Sequence, residues 1–519
     1  MRQLTIDLTP EEYHVPEQMR HAVAQHLDVS VADLGVLHVT HRTLDCRRRN
    51  IVYHTEITVE EAGETIISRD PKLSRVPSSA PRVVVVGTGP AGLFAALRLL
   101  EHGIRPILVE RGKSVEKRKY DIAKLTRERL VNPNSNWCFG EGGAGTYSDG
   151  KLYTRSTKRG DVSNVLRIFV AHGADPDIML DTHAHIGTDR LSGIIANIRH
   201  TIEEAGGEYH FNCRVDDLVV KDGRVCGVVC QELDTEHPSP NTIEGSAVIL
   251  ATGHSARDIY YMFHRHGWLL ETKSFALGVR VEHPQELINE IQYHGKAHSK
   301  YLPPAAYSLT TQANGHGVFS FCMCPGGVIV PAATGEGQQV VNGMSNSRRN
   351  SPYANSGIAV TVGPQDVKDT DVFALLRFQQ AVEQQMFAAG GDSISAPTQR
   401  LVDFLQRKSS PTLNKTGYMG DITNAPLHEL LPTFIVDSLI QGFKDFDRKM
   451  HGFITKDASL LAVESRTSSP VRIPRDKEAL QHPQLQGLYP CGEGAGYAGG
   501  IVSAALDGIR CADAITLQM

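Results

Sequence analysis

Val83-Val84-Val85-Val86 runs directly into Gly87-Thr88-Gly89-Pro90-Ala91-Gly92. Four β-branched residues in a row suit a parallel strand buried on both faces. The glycines then fit G-x-G-x-x-G: Gly87 for the tight turn, Gly89 for close approach of a pyrophosphate, Gly92 for helix–strand packing. Leu93 to His102 keeps helical spacing, Gly103 is placed to end that helix, and Pro106-Ile107-Leu108-Val109 is a second strand. Such a βαβ unit turns a helix N-terminus, with its free N–H groups and partial positive charge, toward phosphates. Glu110 then stands where a carboxylate accepts hydrogen bonds from an adenosine ribose, with Arg111 beside it. The fold class is therefore α/β, with a Rossmann-like dinucleotide-binding domain.

Three further signals separate flavin from nicotinamide. Ala247 to Leu250 is a buried strand ending in Ala251-Thr252-Gly253. Gly487-Leu488-Tyr489-Pro490 leads to Cys491-Gly492-Glu493. Gly499-Gly500-Ile501 opens a C-terminal helix reaching about Leu517. A helix N-terminus aimed at the pyrimidine edge of a flavin favours the negative charge that builds there on reduction. Together these resemble the glutathione-reductase-type flavoproteins with two dinucleotide-binding domains. The resemblance implies FAD, places Glu493 (most often Asp in that superfamily) by the ribityl-phosphate region, and sets Val215 beside the adenine.

Longer stretches narrow the match: Asn136 to Leu152, Phe321 to Gly327, Asn342 to Ser356 and Glu464 to Pro470. These look like the bacterial and plastid family of uncharacterized FAD-dependent dehydrogenases, over nearly the whole chain. Gly140 to Gly145 also spells G-x-G-x-x-G, but Asn134-Ser135-Asn136-Trp137 before it is no strand. It reads instead as a loop whose backbone, through Gly143, Ser148 and Gly150, runs against the flavin. Lys151 then lies near the ring as a catalytic candidate.

The rest of the chain organises around this unit. Residues 1–70 alternate as a small α/β module, with a helix from Pro16 to Leu27, and 71–81 are a Pro/Ser linker. Residues 82–270 and 400–519 are assigned to a discontinuous FAD-binding domain. Residues 271–399 are assigned to an inserted α+β substrate domain with a helix near Val372 to Ala389. Thr188-Asp189 is read as the polar start of a helix running to Glu204. No run of eighteen apolar residues predicts a membrane span, and the start shows no apolar leader. Nine scattered cysteines predict reduced thiols in the cytoplasm. Fifty-three basic against 58 acidic residues argue against nonspecific nucleic-acid binding.

No C-x-x-C pair is present for dithiol chemistry. Cys226 and Cys230 would lie about 13 Å apart on a strand. Cys322 and Cys324 would face one side of a strand about 6.6 Å apart, at the outer limit for a disulfide. They are kept as redox candidates, with a buried structural pair as the alternative. Glu464 and Arg466 are further catalytic candidates; Arg280, Arg348 and Arg349 are polar candidates for a substrate carboxylate or phosphate. No metal site is expected, and His254 lies near the cofactor. The expected function is an FAD-dependent oxidoreductase moving a hydride to or from a small organic substrate. A nicotinamide nucleotide would visit without its own domain, or an electron-transfer partner would serve. The alternatives are a tRNA-modifying flavoprotein, with Arg42 and Arg47 to Arg49 touching RNA, and a protein holding FAD for structure.

Overall fold

The computed structural model describes residues 2–60, 73–154, 160–234, 240–296 and 299–519. Its centre is a five-stranded sheet ordered Leu488–Pro490, Ala247–Leu250, Arg82–Val86, Arg105–Val109, Glu208–His210, parallel at every pairing. Side-chain alternation splits it cleanly. Val83, Val85, Leu108 and Ile249 join a core with the helices Pro90–Glu101, Thr188–Glu204 and Ile501–Thr516. Val84, Val86, Ile107, Val109, Val248 and Leu250 join another, under the helix Arg257–Arg265 and the antiparallel sheet Cys213–Lys221, Arg224–Glu232, Pro240–Glu244. Burial on both faces explains why these strands are unbroken apolar runs. The helix at Thr188 begins as expected, but its N-cap is Gly187 and no side chain caps it. Thr188 instead donates its hydroxyl to the Thr146 carbonyl at 2.9 Å.

A second, seven-stranded sheet is ordered Thr310–Ala313, His316–Cys324, Tyr353–Val362, Phe275–Pro284, Ser459–Glu464, Ala396–Arg400, Ile422–Asn424. It is antiparallel except for its last pair. The helix Thr433–Lys449 covers its apolar face through Ile435, Val436, Leu439, Phe443 and Phe446. This sheet corrects the boundary drawn at 400. Strand Ser459–Glu464 pairs with both Phe275–Pro284 and Ala396–Arg400, so the chain returns to the first sheet only after Glu464. Local pattern could not reveal this, because the pairing partners lie 59 to 186 residues apart. The expected helix near Val372 is observed at Ala374–Ala389.

The N-terminal module is a three-stranded antiparallel sheet with Val52–Glu60 between Arg2–Leu8 and Val36–Asp45. Helices Pro10–His14 and Pro16–Leu27 pack on it around Leu8, Tyr13, Val23 and Ile57. It is docked by specific contacts: Arg42 forks onto Asp181 at 2.5 and 2.7 Å, and Ile51 enters the second sheet's core. Residues 61–72, the module's tail and the linker's first two positions, lie outside the described residues. The rest of the linker is anchored, since buried Val76 donates its N–H to Ala205 at 2.8 Å. No helix among the described residues is long and apolar enough to cross a membrane.

Candidate functional site

The parallel register brings four strand ends to one edge, where open α/β sheets bind ligands. Gly87 there has φ +100°, and a Cβ on it would lie 2.5 Å from the Ala251 carbonyl. A Cβ on Gly92 would lie 1.9 Å from the Gly87 carbonyl, so the helix Pro90–Glu101 seats only on glycine. Gly89 is the N-cap of that helix and offers no side-chain cap, and Pro90 occupies N1. The N–H groups of the first turn, including that of Ala91, are thereby left for an anion.

Glu110 binds this edge together. One oxygen accepts from the Thr88 N–H at 3.0 Å and its hydroxyl at 2.8 Å. The other accepts from the N–H of Gly112 at 2.9 Å and of Gly140 at 3.0 Å. All four acceptor positions of the carboxylate are taken by three loops, so a ribose hydroxyl would have to replace one of them. Beside it lies a narrow cleft lined by Gly87, Glu110, Arg111, Phe139, Val215 and Thr252, among others. Arg111 lies over the Phe139 ring at 4.5 Å and pairs with Asp258.

Along the same edge, Gly143 opens a short 3-10 turn, Gly143–Tyr147, and its Cβ position is 3.3 Å from the Gly89 Cα. Ser148 is spent on its own loop: its hydroxyl donates to the Gly145 carbonyl at 2.8 Å and accepts from Gly150 N–H at 3.0 Å. A Cβ on Gly150 would lie 3.0 Å from the Gly187 nitrogen. Gly492 donates its N–H to Asp507 at 2.8 Å, and Arg475 holds Asp507 at 2.6 and 2.9 Å. Glu493 pairs with His254 at 3.3 Å, while His254 Nε2 is buried with no hydrogen-bond partner in the protein. Around Gly253, Gly499 and Gly500 a Cβ would meet open space. The glycine turn, the uncapped helix end, the adjoining cleft and this orphaned nitrogen fit an extended dinucleotide laid along the strand ends.

The wall facing this edge comes from the second sheet. Arg280 is fully buried and spends its guanidinium on Asn355, Asn342, Glu464, the Cys322 carbonyl and Cys324 Sγ. Burial raises the Glu464 carboxyl above its ordinary range even against Arg280, and the nearby His254 also opposes it. Cys322 has φ +43° at a bulge that shifts the register between Phe321 and Cys324. The regular alternation expected for the two cysteines is therefore broken, leaving Cys322 exposed and Cys324 buried, both as free thiols. Burial raises the Cys324 thiol. Lys151 donates to the Met323 carbonyl between them. Asp149 receives a two-pronged bond from Arg349 at 3.1 and 2.6 Å, whereas Arg348 is exposed.

Arg466 sits elsewhere and does other work. Its donors reach both Glu383 oxygens at 3.1 and 3.2 Å, Ser255, Thr334 and Gln338, leaving no N–H for a substrate. Arg257 also binds Glu383, at 2.9 Å to each oxygen. Burial would raise Glu383, but Arg466 and Arg257 override it and hold the carboxyl at about 2. Glu383 was missed from sequence because its partners lie 83 and 126 positions away. Asp507 was missed too, although a carboxylate directly after the apolar run Ala504-Ala505-Leu506 is a visible signal. Cys491, Asp507 and Cys511 lie within 4.8 Å of one another, but Arg475 already supplies their cation.

The sequence comparisons agree with this geometry. Residues 81–123 and 146–337 match FAD binding domain families, 274–467 match "FAD-dependent protein, C-terminal domain-like", and 1–60 match a domain of unknown function. An uncharacterized protein of Clostridium beijerinckii is 40% identical over 517 residues, 95% of this chain and 94% of its own. The chain belongs to that protein's family. It is a flavoprotein family, and FAD is the cofactor its domains take. A thiamine thiazole synthase of Thermotoga maritima is 26% identical over 188 residues, 35% of this chain and 61% of its own. The flavin-dependent brominase Bmp2 overlaps 85% of this chain and 79% of its own at 13% identity and TM-score 0.37. A flavocytochrome c3 fumarate reductase does so at 85% and 79%, with 14% identity and TM-score 0.34.

Proposed function

We propose that this flavoprotein is an oxidoreductase that exchanges a hydride with a small organic substrate held between the two sheets. The observation that carries this is the placement of a buried polar wall opposite the FAD-binding edge: Arg280, Glu464 and Cys324, with Lys151 and exposed Cys322 at its margin. A protein that kept FAD only for structure would have no use for costly buried charges there.

When bound, FAD supplies a two-electron centre, and the protein supplies orientation and electrostatics. Gly87, Gly89, Pro90, Ala91 and Gly92 hold the pyrophosphate, and Val215 and Arg111 flank the adenine. Glu110 latches the three loops around it. Gly143, Ser148 and Gly150 shape the loop against the ring. Ala251, Thr252, Gly253, Gly492 and Glu493 line the ribityl side, with Gly500 and Ile501 at the pyrimidine edge. His254, with one nitrogen on Glu493 and the other unpartnered, is placed to hold or pass a proton. The sequence holds one strand–G-x-G-x-x-G–helix fingerprint, so a nicotinamide nucleotide would be a visiting reductant. Kinship with the glutathione-reductase type forms part of this proposal, resting on the strand ends at 251–253 and 492–493.

The test is anaerobic. The purified yellow protein is mixed with NADH or NADPH while the flavin band is followed, then with panels of small acids, alcohols and amines. Bleaching by a nicotinamide nucleotide or by a metabolite supports the reading. A flavin that dithionite reduces only slowly, and that nothing else reduces, sinks it.

A further inference from the structure

We propose that Lys151, His183 and His185 form a binding site for an oxyanion, the carboxylate or phosphate group of the substrate. This deepens the oxidoreductase reading and rests on it for the position of the flavin. Lys151 leaves the glycine loop and forms an antiparallel bridge with His185. The register is pinned on both sides, by Leu152 N–H to the Ala184 carbonyl at 2.9 Å and Ile186 N–H to the Gly150 carbonyl at 3.1 Å. The bridge puts His185 on the same side as Lys151, and His183, in the turn just before it, lies close enough to feel the Lys151 charge.

The charge around this group is unbalanced. Among the described residues the Lys151 ammonium has one acceptor, the Met323 carbonyl. Asp149 faces Lys151 and His185, but its hydrogen bonds go to a second cation, Arg349. Asp181 is clamped by Arg42 at 2.5 and 2.7 Å. Asp189 takes the Ser347 N–H and hydroxyl at 2.6 and 2.7 Å, and Glu464 belongs to Arg280. The two histidines add no negative charge. His185 contacts the Ser347 carbonyl at 3.3 Å, and the His183 ring lies 4.9 Å from that of Tyr153. Burial holds both imidazoles below their ordinary range; Lys151 adds to this at His183 and Arg349 at His185, against Asp181 at both and Asp149 at His185. Two cations, Lys151 and Arg349, thus share the single carboxylate of Asp149, and a bound carboxylate or phosphate offsets the excess through charge-assisted hydrogen bonds. The ammonium also sits against Met323, next to exposed Cys322, which places an anion held there at the margin of the wall facing the flavin edge.

The experiment uses the full-length, FAD-loaded protein with two probes, succinate and inorganic phosphate. Binding is measured by calorimetry and by perturbation of the flavin band. Saturable binding of at least one probe is expected, weakened roughly tenfold or more in Lys151→Met and restored in part by Lys151→Arg. His183→Gln is expected to weaken it less. Preference for succinate assigns a carboxylate and preference for phosphate a phosphoryl group; either supports the site. Binding that is absent, or equal in wild type and Lys151→Met, overturns it. Binding lost in Lys151→Met with an unmoved flavin band supports the anion site while removing the reading that the flavin lies beside it.

Discussion

Two buried glutamates organise the two halves of the cleft, and they are satisfied in opposite ways. Glu110 at the glycine-turn edge is held by backbone N–H groups and one hydroxyl, all within 30 positions of it. Glu383 at the seam with the second sheet is held by Arg257 and Arg466, 126 and 83 positions away. The first arrangement follows from local geometry: a turn that only glycine can make exposes N–H groups, and a carboxylate gathers them. The second exists only once distant segments have packed. Cofactor binding should therefore break at single backbone positions on one side, and stability at single charges on the other.

Gly92→Ala should produce the largest effect. Its Cβ would stand 1.9 Å from a backbone carbonyl that no side-chain rotation can move. The expected outcome is protein purified without yellow colour, read from the ratio of flavin to protein absorbance. Full flavin content in this variant would show that the turn is not the cofactor cradle.

Glu383→Ala comes next and should act on the other side of the comparison. It strands two buried guanidinium groups, at a cost of about 3–5 kcal/mol. Thermal and urea unfolding would read that loss, and flavin content in whatever remains folded should stay near wild type. The pair also gives a pH signature. A carboxyl held at about 2 in the fold, against an ordinary 4.5, contributes stability that is present above about 4.5. That contribution is lost as pH falls toward about 2. A variant no less stable than wild type at neutral pH would refute the seam's dependence on this charge.

Glu110→Gln should be milder than either. The amide keeps one acceptor oxygen but offers hydrogens where Thr88 or Gly112 and Gly140 also donate. Losing charge-assisted bonds at a latch should cost about 1.5–3 kcal/mol in FAD affinity, roughly a tenfold to hundredfold weaker Kd. Fluorescence titration of the apoprotein with FAD measures it.

How much was legible in the sequence follows the same division. The run Val83 to Val86, the glycine turn and the helix after it are dictated by nearest neighbours, and so were readable. Glu110 closes the second strand, and its carboxylate serves three loops because Gly140 approaches from 30 positions away. Arg466 was read as facing substrate, since an arginine on a loop carries no mark of the buried Glu383 that consumes it. The assignment of residues 400–464 to the FAD-binding domain departs from the structure for the same reason: the pairing of Ser459–Glu464 is long-range. Cys322 and Cys324 were expected to alternate regularly, and a bulge with positive φ, which local pattern does not signal, broke that alternation.

The comparison can be sharpened by a third buried glutamate that has no cation at all. Glu282 lies on strand Phe275–Pro284, 2% exposed, and accepts the Gly417 N–H on both oxygens at 3.1 and 3.0 Å. Burial pushes its carboxyl up to about 7, against opposing hydrogen bonds from Thr416 and Gly417. Because the folded state holds this proton more tightly than the unfolded chain does, stability falls as pH rises from about 4.5 to about 7 and then levels off. Glu282→Gln removes that slope while keeping a neutral group of the same size. Its advantage over wild type should be near zero below the ordinary carboxyl range and grow to about 1–3 kcal/mol above neutrality. Urea unfolding across this pH interval tests it, with the opposite slope expected from Glu383. If the difference between Glu282→Gln and wild type does not change with pH, backbone donors alone suffice to keep a buried carboxylate charged. Glu282 would then stand with Glu110 on the locally built side of the molecule.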